Sequence, residues 1–294
     1  MSTTYTTTPL VNEHCATGEN PYWRPDDGRV YWTDIPNGRI YRYDPATGAH
    51  ETVYDDPGAQ VGGFTLQADG DWLLFRETDI ATMAADGRHV RTVLPFRDEG
   101  AKRFNDVIAD PEGRVFAGTI GVTKESGGLY RIDTDGAVTK VRSGTGNGNG
   151  MGFTPDGSRF YWTDSTAKRI YRYRYDRATG ELSDETVFYQ GSPEEGTPDG
   201  MAVDGEGFVW SARFRGSAIL KHAPDDGRVL DRITLPAAKV TSLFFGGLEL
   251  ETLYVTTAGG GEPDSADVDG TLFQVTLDRP VRGQHEFRSR ILSD

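Results

Sequence analysis

The stretch Asn149–Trp162, NGMGFTPDGSRFYW, decides how the rest of the chain is read. A polar residue opens a short apolar strand, a Gly-containing turn follows, and a second strand rich in aromatics closes the unit. The same design returns as ENPYWRPDDGRVYW from Glu19, GGFTLQADGDWLLF from Gly62, NDVIADPEGRVFAG from Asn105 and DGMAVDGEGFVWSA from Asp199. A looser sixth copy, TSLFFGGLELETLYV, starts at Thr241.

Aligned on the turn glycine, the opening residue lies 8 positions upstream in four copies, Gly62, Asn105, Asn149 and Asp199, and 9 upstream at Glu19. Second-strand aromatics or their equivalents fall at Trp32, Leu74, Phe116, Trp162, Trp210 and Tyr254, in steps of 42, 42, 46, 48 and 44 residues. This is the period of a four-stranded propeller blade, and six such units fill 294 residues. The fold class expected is all-β, a six-bladed β-propeller of four-stranded antiparallel blades. Blades cannot hide their apolar faces unless they stack on each other, so a single propeller domain over residues 1–294 is expected. The blades are placed at roughly 17–58, 59–99, 100–145, 146–193, 194–236 and 237–284. Residues from about 4 to 14 are expected to pair with His285 to Leu292 and close the ring, leaving no open edge. The longer polar loops at 95–103 and 259–270 are candidates for a lid or rim.

Composition narrows the function. With 31 basic against 45 acidic residues the net charge is −14, which disfavours a phosphate backbone or an anionic membrane as partner. The single cysteine, Cys15, excludes an intramolecular disulfide and a thiolate metal cluster, and reads as a small buried filler. The first residues, MSTTYTTTPL, show neither a basic region nor an apolar core, and no apolar run is long enough to span a bilayer, so a cytoplasmic protein is expected. The five histidines lie far apart, and no G-x-S-x-G elbow is present.

The phase of the repeat points to a site. If each unit begins with its innermost strand, the opening residues ring one mouth of the central channel. These are Glu19, Gly62, Asn105, Asn149, Asp199 and the Thr241/Ser242 pair. Two carboxylates and two amides are hard oxygen donors suited to Ca²⁺, Mg²⁺ or Mn²⁺. Polar groups at a channel end also serve to satisfy neighbouring backbone groups or to hydrate a pore, and spacing alone leaves both readings open. Two carboxylates at one mouth raise each other's pKa unless a cation neutralises them, which favours a metal site. Asn149, not Asn147, is selected by the offset to Gly157, and the preceding Asn-Gly pair is read as a turn. Asp34 and Asp164, equivalent in two WTD motifs, are read as hydrogen-bonding groups and not as ligands.

Taken together, Glu19 in TGENPYW, the RFND run from Arg103 to Asp106, Asn149 in NGMGFTPDG, PDGMAVDGEGFVW from Pro198, and VTSLFFGG followed by TLYVTTA resemble the SMP-30/gluconolactonase/regucalcin-like family. The resemblance runs from about residue 11 to 258 in the same order. It implies a six-bladed propeller with one divalent cation in the channel and hydrolysis of a small-molecule sugar lactone. Ca²⁺ comes first, with Mg²⁺, Mn²⁺, Zn²⁺ or Fe²⁺ as alternatives. It further implies that Glu19, Asn149 and Asp199 hold the metal, that Arg103 and Asn105 contact substrate, and that Asn105 approaches the metal directly or through water. The chain departs from the family at Gly18-Glu19-Asn20-Pro21 and Gly148-Asn149-Gly150-Met151, changes that leave the ligands in place but alter pocket shape. No acidic substrate contact is assigned within Ile120–Gly128.

The mechanism expected is polarisation of the lactone by the metal and attack of water, with Asp199 as the base that takes the proton. Two other functions remain open at this level: phosphotriester or fluorophosphate hydrolysis on the same cation site, and a non-enzymatic metal-binding propeller.

Overall fold

The computed structural model describes residues 4–261 and 266–293, so part of the 259–270 loop, 262–265, lies outside the described residues. Twenty-four strands form six four-stranded antiparallel sheets arranged as blades of a ring, a six-bladed β-propeller. The fourth blade shows how sequence makes one. Its strands, Gly148–Phe153, Arg159–Asp164, Arg169–Asp176 and Glu181–Gln190, pair in chain order. The first turn, at TPDG, is held by Asp156, whose Oδ1 accepts from the Ser158 amide at 3.0 Å, and by Gly157 at φ 66°, a left-handed conformation that disfavours a side chain. Burial falls off outward: the innermost strand is buried throughout, while the outermost is mostly exposed. Each blade therefore turns its apolar faces to its neighbours, and Trp32, Trp162 and Trp210 sit fully buried at equivalent second-strand positions.

The innermost strands are Gly18–Arg24, Val61–Leu66, Ala101–Ala109, Gly148–Phe153, Thr197–Val203 and Lys239–Gly246. Each begins one to four residues before the opening residue read from the repeat, and together they line the channel.

Ring closure differs from expectation. The N-terminal strand Tyr5–Asn12 does not pair with residues 285–292; it pairs antiparallel with Thr271–Leu277, from Tyr5 opposite Leu277 to Asn12 opposite Thr271. It thereby becomes the outermost strand of the sixth blade, whose other members are Lys239–Gly246, Thr252–Ala258 and Thr271–Leu277. Without it, TLFQVTL would present an open edge, and the edge claims the first compatible strand. Residues 283–292 instead run as a strap across the far end of the channel. Gln284 donates from Nε2 to the carbonyls of Phe153, Val203 and Asp204 at 3.2, 3.1 and 3.3 Å. Further along, Ser289 Oγ lies 2.7 Å from Thr65 Oγ1, the Ile291 amide donates to Gln67 Oε1 at 2.8 Å, and the Leu292 amide to the Thr134 carbonyl at 2.9 Å. One segment thus ties several blades together through side chains and single backbone bonds. Among the described residues no helix is long and apolar enough to cross a membrane.

Candidate functional site at the channel mouth

A one-residue register shift interrupts the innermost strand of every blade near its start. It falls between Glu19 and Tyr22, Val61 and Gly63, Phe104 and Val107, Asn149 and Met151, Pro198 and Met201, and Val240 and Ser242. A bulge bends its strand and re-aims the side chains beside it. Here six bulges at one level of the ring turn Glu19, Asn105, Asn149, Asp199 and Thr241 toward one pocket of about 240 Å³, which Arg103 also lines. The sixth opening residue, Gly62, has a different task. A Cβ there would lie 2.2 Å from the Phe104 carbonyl oxygen, so glycine permits the close approach that sets the Arg103–Asn105 segment beside it. Of the Thr241/Ser242 pair, Thr241 faces the mouth, while Ser242 lies deeper, on the wall of a second cavity.

Little of this polar cluster meets bulk water: Glu19, Asn105, Asn149 and Asp199 are 6, 5, 2 and 6 % exposed. Asn149 Nδ2 donates to Asp199 Oδ1 and, at 3.3 Å, to Ser165 Oγ, whose own proton goes to the Pro198 carbonyl at 2.7 Å. Across the pocket, Arg103 Nη1 donates to Asn105 Oδ1 at 2.7 Å, and Asn105 Nδ2 donates to Asn147 Oδ1 and the Gly148 carbonyl at 3.0 and 3.1 Å. Burial pushes the Glu19 carboxyl well above the usual range, and the charges of Asp199 and Asp106 push it further, against the opposing pull of the Asn20 amide and Arg103. Asp199 is raised by burial and by Asp106, with Asn149 and Arg103 opposing. Burial brings Arg103 down to about 10 despite the nearby Glu19, Glu77 and Asp199. One guanidinium therefore faces more negative charge than it neutralises, a condition that a bound cation relieves.

Among the described residues, no three His, Cys, Asp or Glu side chains converge as a ligand set. The candidate set is two carboxylates and an amide, oxygen donors that fit a hard divalent ion with coordination positions left for water and substrate. The geometry accounts for other readings too. Asp34 accepts from the Thr17 amide at 3.0 Å and from Asn37 Nδ2 at 2.7 Å, and Asp164 accepts from the Ala167 amide at 3.1 Å, so both act as hydrogen-bonding groups. Cys15 is buried, 1 % exposed, as a small filler. In the 95–103 loop, Asp98 accepts from Tyr130 and from Lys140, and the Gly100 carbonyl accepts from the Val122 amide at 2.8 Å. That loop is pinned to its blade, and only Arg103 from it lines the pocket.

Asn147 is not merely part of a turn. It lines the pocket and bonds to Asn105. Alternation carried one step upstream from Asn149 places Asn147 on the same strand face, the signal that finds it. Beneath the mouth, the same strands border a separate cavity of about 60 Å³, which Gln284–Phe287 of the strap also line. Its walls are mainly apolar, yet two carboxyls, Asp106 and Glu286, stand on them. Burial raises Asp106 to about 7, and burial plus the Asp106 charge raises Glu286 well above its usual range.

Fold and site together define a six-bladed propeller with a polar pocket at the mouth where its innermost strands begin. Residues 17–259 match the SMP-30/Gluconolactonase/LRE-like region, and the chain belongs to that family. It is 44% identical to Pentonolactonase XacC of Haloferax volcanii over 300 residues, covering 97% of this chain and 99% of that one. It is 32% identical to Regucalcin of Oryctolagus cuniculus, over 91% of this chain and 93% of the relative. The crystal structure of a calcium-binding regucalcin from Agrobacterium tumefaciens superposes with a TM-score of 0.86 at 25% identity, covering 98% of both chains.

Proposed function

We propose that this chain is a divalent-metal-dependent hydrolase that opens sugar lactones, pentonolactones among them. The observation that carries the reading is the meeting, in one buried pocket, of two carboxylates and an amide with the Arg103–Asn105 pair. Near full-length similarity to a pentonolactonase supports the substrate class, and similarity to a calcium-binding regucalcin supports Ca²⁺ as the first cation to test.

Glu19, Asn149 and Asp199 would hold the cation. When bound, it supplies Lewis-acid stabilisation of the negative charge that develops on the lactone oxygen. Arg103, its side chain fixed on Asn105 and on the Phe104 carbonyl at 2.8 Å, orients the ring and shares that charge. Asn105, held at both ends of its amide, keeps Arg103 from swinging away. The attacking water gives its proton to Asp199 Oδ, whose other commitment is to Asn149. Burial of Glu19, Asn105, Asn149 and Asp199 keeps bulk water from weakening the electrostatics.

The test is a metal-by-lactone activity matrix on chelator-stripped protein, with pentono- and gluconolactones, a phosphotriester, and wells without metal. Turnover of a sugar lactone restored by a divalent ion is expected. Full turnover in metal-free wells would sink the metal role. Faster phosphotriester hydrolysis would favour that chemistry, and bound cation with no turnover would leave a binding protein.

A further inference from the structure

The wall opposite the carboxylates has a direction. A guanidinium only donates hydrogen bonds, so Asn105 must turn its Oδ1 to Arg103 Nη1, 2.7 Å away. Its Nδ2 then faces Asn147 and the Gly148 carbonyl, and Asn147 must answer with Oδ1 at 3.0 Å. Both amide orientations follow from the arginine, and Asn147 Nδ2 is left pointing away from Asn105, without a hydrogen bond to any described residue. The residue is half-buried on the pocket wall. Its backbone is fixed on two sides, by a bridge to Ile120 and by the Ser165 amide, which donates to the Asn147 carbonyl at 3.0 Å. A donor held this rigidly on a pocket wall is prepared for an acceptor on the ligand.

We infer that Asn147 is a specificity residue of the site: its Nδ2 donates to a ring hydroxyl of the lactone while its Oδ1 braces Asn105. The inference rests on the lactonase reading above and assigns to Asn147 the recognition of a ring hydroxyl. An unsubstituted lactone offers Nδ2 nothing to bond and leaves a polar group unpaired when the pocket closes on it; a sugar lactone satisfies it. Arg103 and Asn147 then approach the ring as two donors set by one hydrogen-bond chain, so the hydroxyl and the reacting carbonyl are positioned together.

Two substitutions separate the tasks of Asn147. Asn147→Asp keeps an oxygen for Asn105 but replaces the donor with an acceptor; Asn147→Ala removes both. The experiment measures kcat and KM for a pentonolactone and for unsubstituted γ-butyrolactone, with thermal unfolding of each variant as a check on folding. Expected for Asn147→Asp is a kcat/KM on the pentonolactone that falls about tenfold further than on γ-butyrolactone, with the extra loss in KM; any effect of the added carboxylate common to both lactones cancels in that ratio. Asn147→Ala should add a loss of kcat on both lactones, because Asn105 is released. Equal effects of Asn147→Asp on the two lactones, or none on either while the native protein turns both over, would overturn the assignment. A native protein that hydrolyses neither lactone would overturn the lactonase reading, and this inference with it.

Discussion

The two ends of the channel are lined by the same five innermost strands and could hardly differ more. At the mouth, bulges turn polar side chains inward, and nearly every one has a partner: Asn149 bonds to Asp199 and Ser165, Arg103 to Asn105. A few residues further along, Met151, Phe153, Met201, Val203 and Phe244 make an apolar chamber under the strap. There, among the described residues, Glu286 Oε2 is buried without a hydrogen-bond partner, and Asp106 accepts only from the Val107 amide, at 2.8 Å. The mouth gives its raised carboxyls an amide and an arginine that oppose the effect of burial, whereas the chamber gives Asp106 one backbone amide and Glu286 Oε2 none among the described residues. The difference shows that strand phase, more than composition, decides where a propeller does chemistry: one residue of offset separates Asn105, in the site, from Asp106, beneath it.

This contrast can be broken most forcefully at Asp199. Asp199→Ala should lower kcat by about 10³-fold or more and abolish calorimetric cation binding, because the residue serves both as ligand and as base. The folded protein should survive, since a buried, poorly compensated carboxylate is being removed. Near-native turnover in the variant would erase the functional distinction of the mouth.

The chamber is tested by pH. Folded Asp106 titrates at about 7, above its ordinary value of 3.8, so the folded state keeps a proton that the unfolded chain releases. Its contribution to stability is full below about pH 4 and is lost as the pH rises through about 7. The loss is on the order of 4 kcal/mol by pH 8. In chelator-treated protein, urea unfolding of the native chain should show this decline, and Asp106→Asn should make it shallower, leaving the part due to the raised carboxyls of Glu19, Asp199 and Glu286, and be the more stable of the two at pH 8. A native stability that does not fall across this window would mean that the Asp106 carboxyl is not desolvated as its burial implies.

The strap should matter for stability and not for chemistry. Gln284→Ala withdraws the amide shared by three carbonyls of two blades and should cost about 1–2 kcal/mol in urea unfolding, with kcat within about twofold of native. A large change in kcat with little loss of stability would join the two ends that the structure separates.

Much of the ring was legible because its cause is periodic. Turn glycines such as Gly157 and Gly207 need positive φ, second-strand aromatics need burial, and both recur at blade spacing. The opening residues were legible for the same reason: a polar side chain at the head of a strand otherwise buried throughout has to face something. What escaped has no period. The strap is made from Gln284, Ser289 and Ile291 bonding singly to distant blades, contacts that no alternation announces. The pairing of Tyr5–Asn12 was misassigned because two C-terminal segments compete for one edge and only the register with Thr271–Leu277 distinguishes them. Asn147 was passed over because its role depends on Arg103, remote in sequence, which orients Asn105 and through it Asn147. The bulges that aim the site were invisible, since an extra residue in a strand leaves no mark unless the partner strand is known.

Closure of the sixth blade carries a consequence for how the molecule is born. Tyr5–Asn12 emerges from the ribosome before the other strands of its blade, yet its ladder neighbour among the described residues lies some 260 residues later, from Thr271 onward. Until that segment is synthesised, the leading strand waits as an unmatched ribbon, and the nascent arc of blades has two raw ends exposed to other chains. Joining so distant a pair is slow, because the entropy of the intervening loop must be overcome before any contact rewards it. The final clasp is thus the step at which a chaperone, or a second copy of the chain, has its best opportunity to intervene.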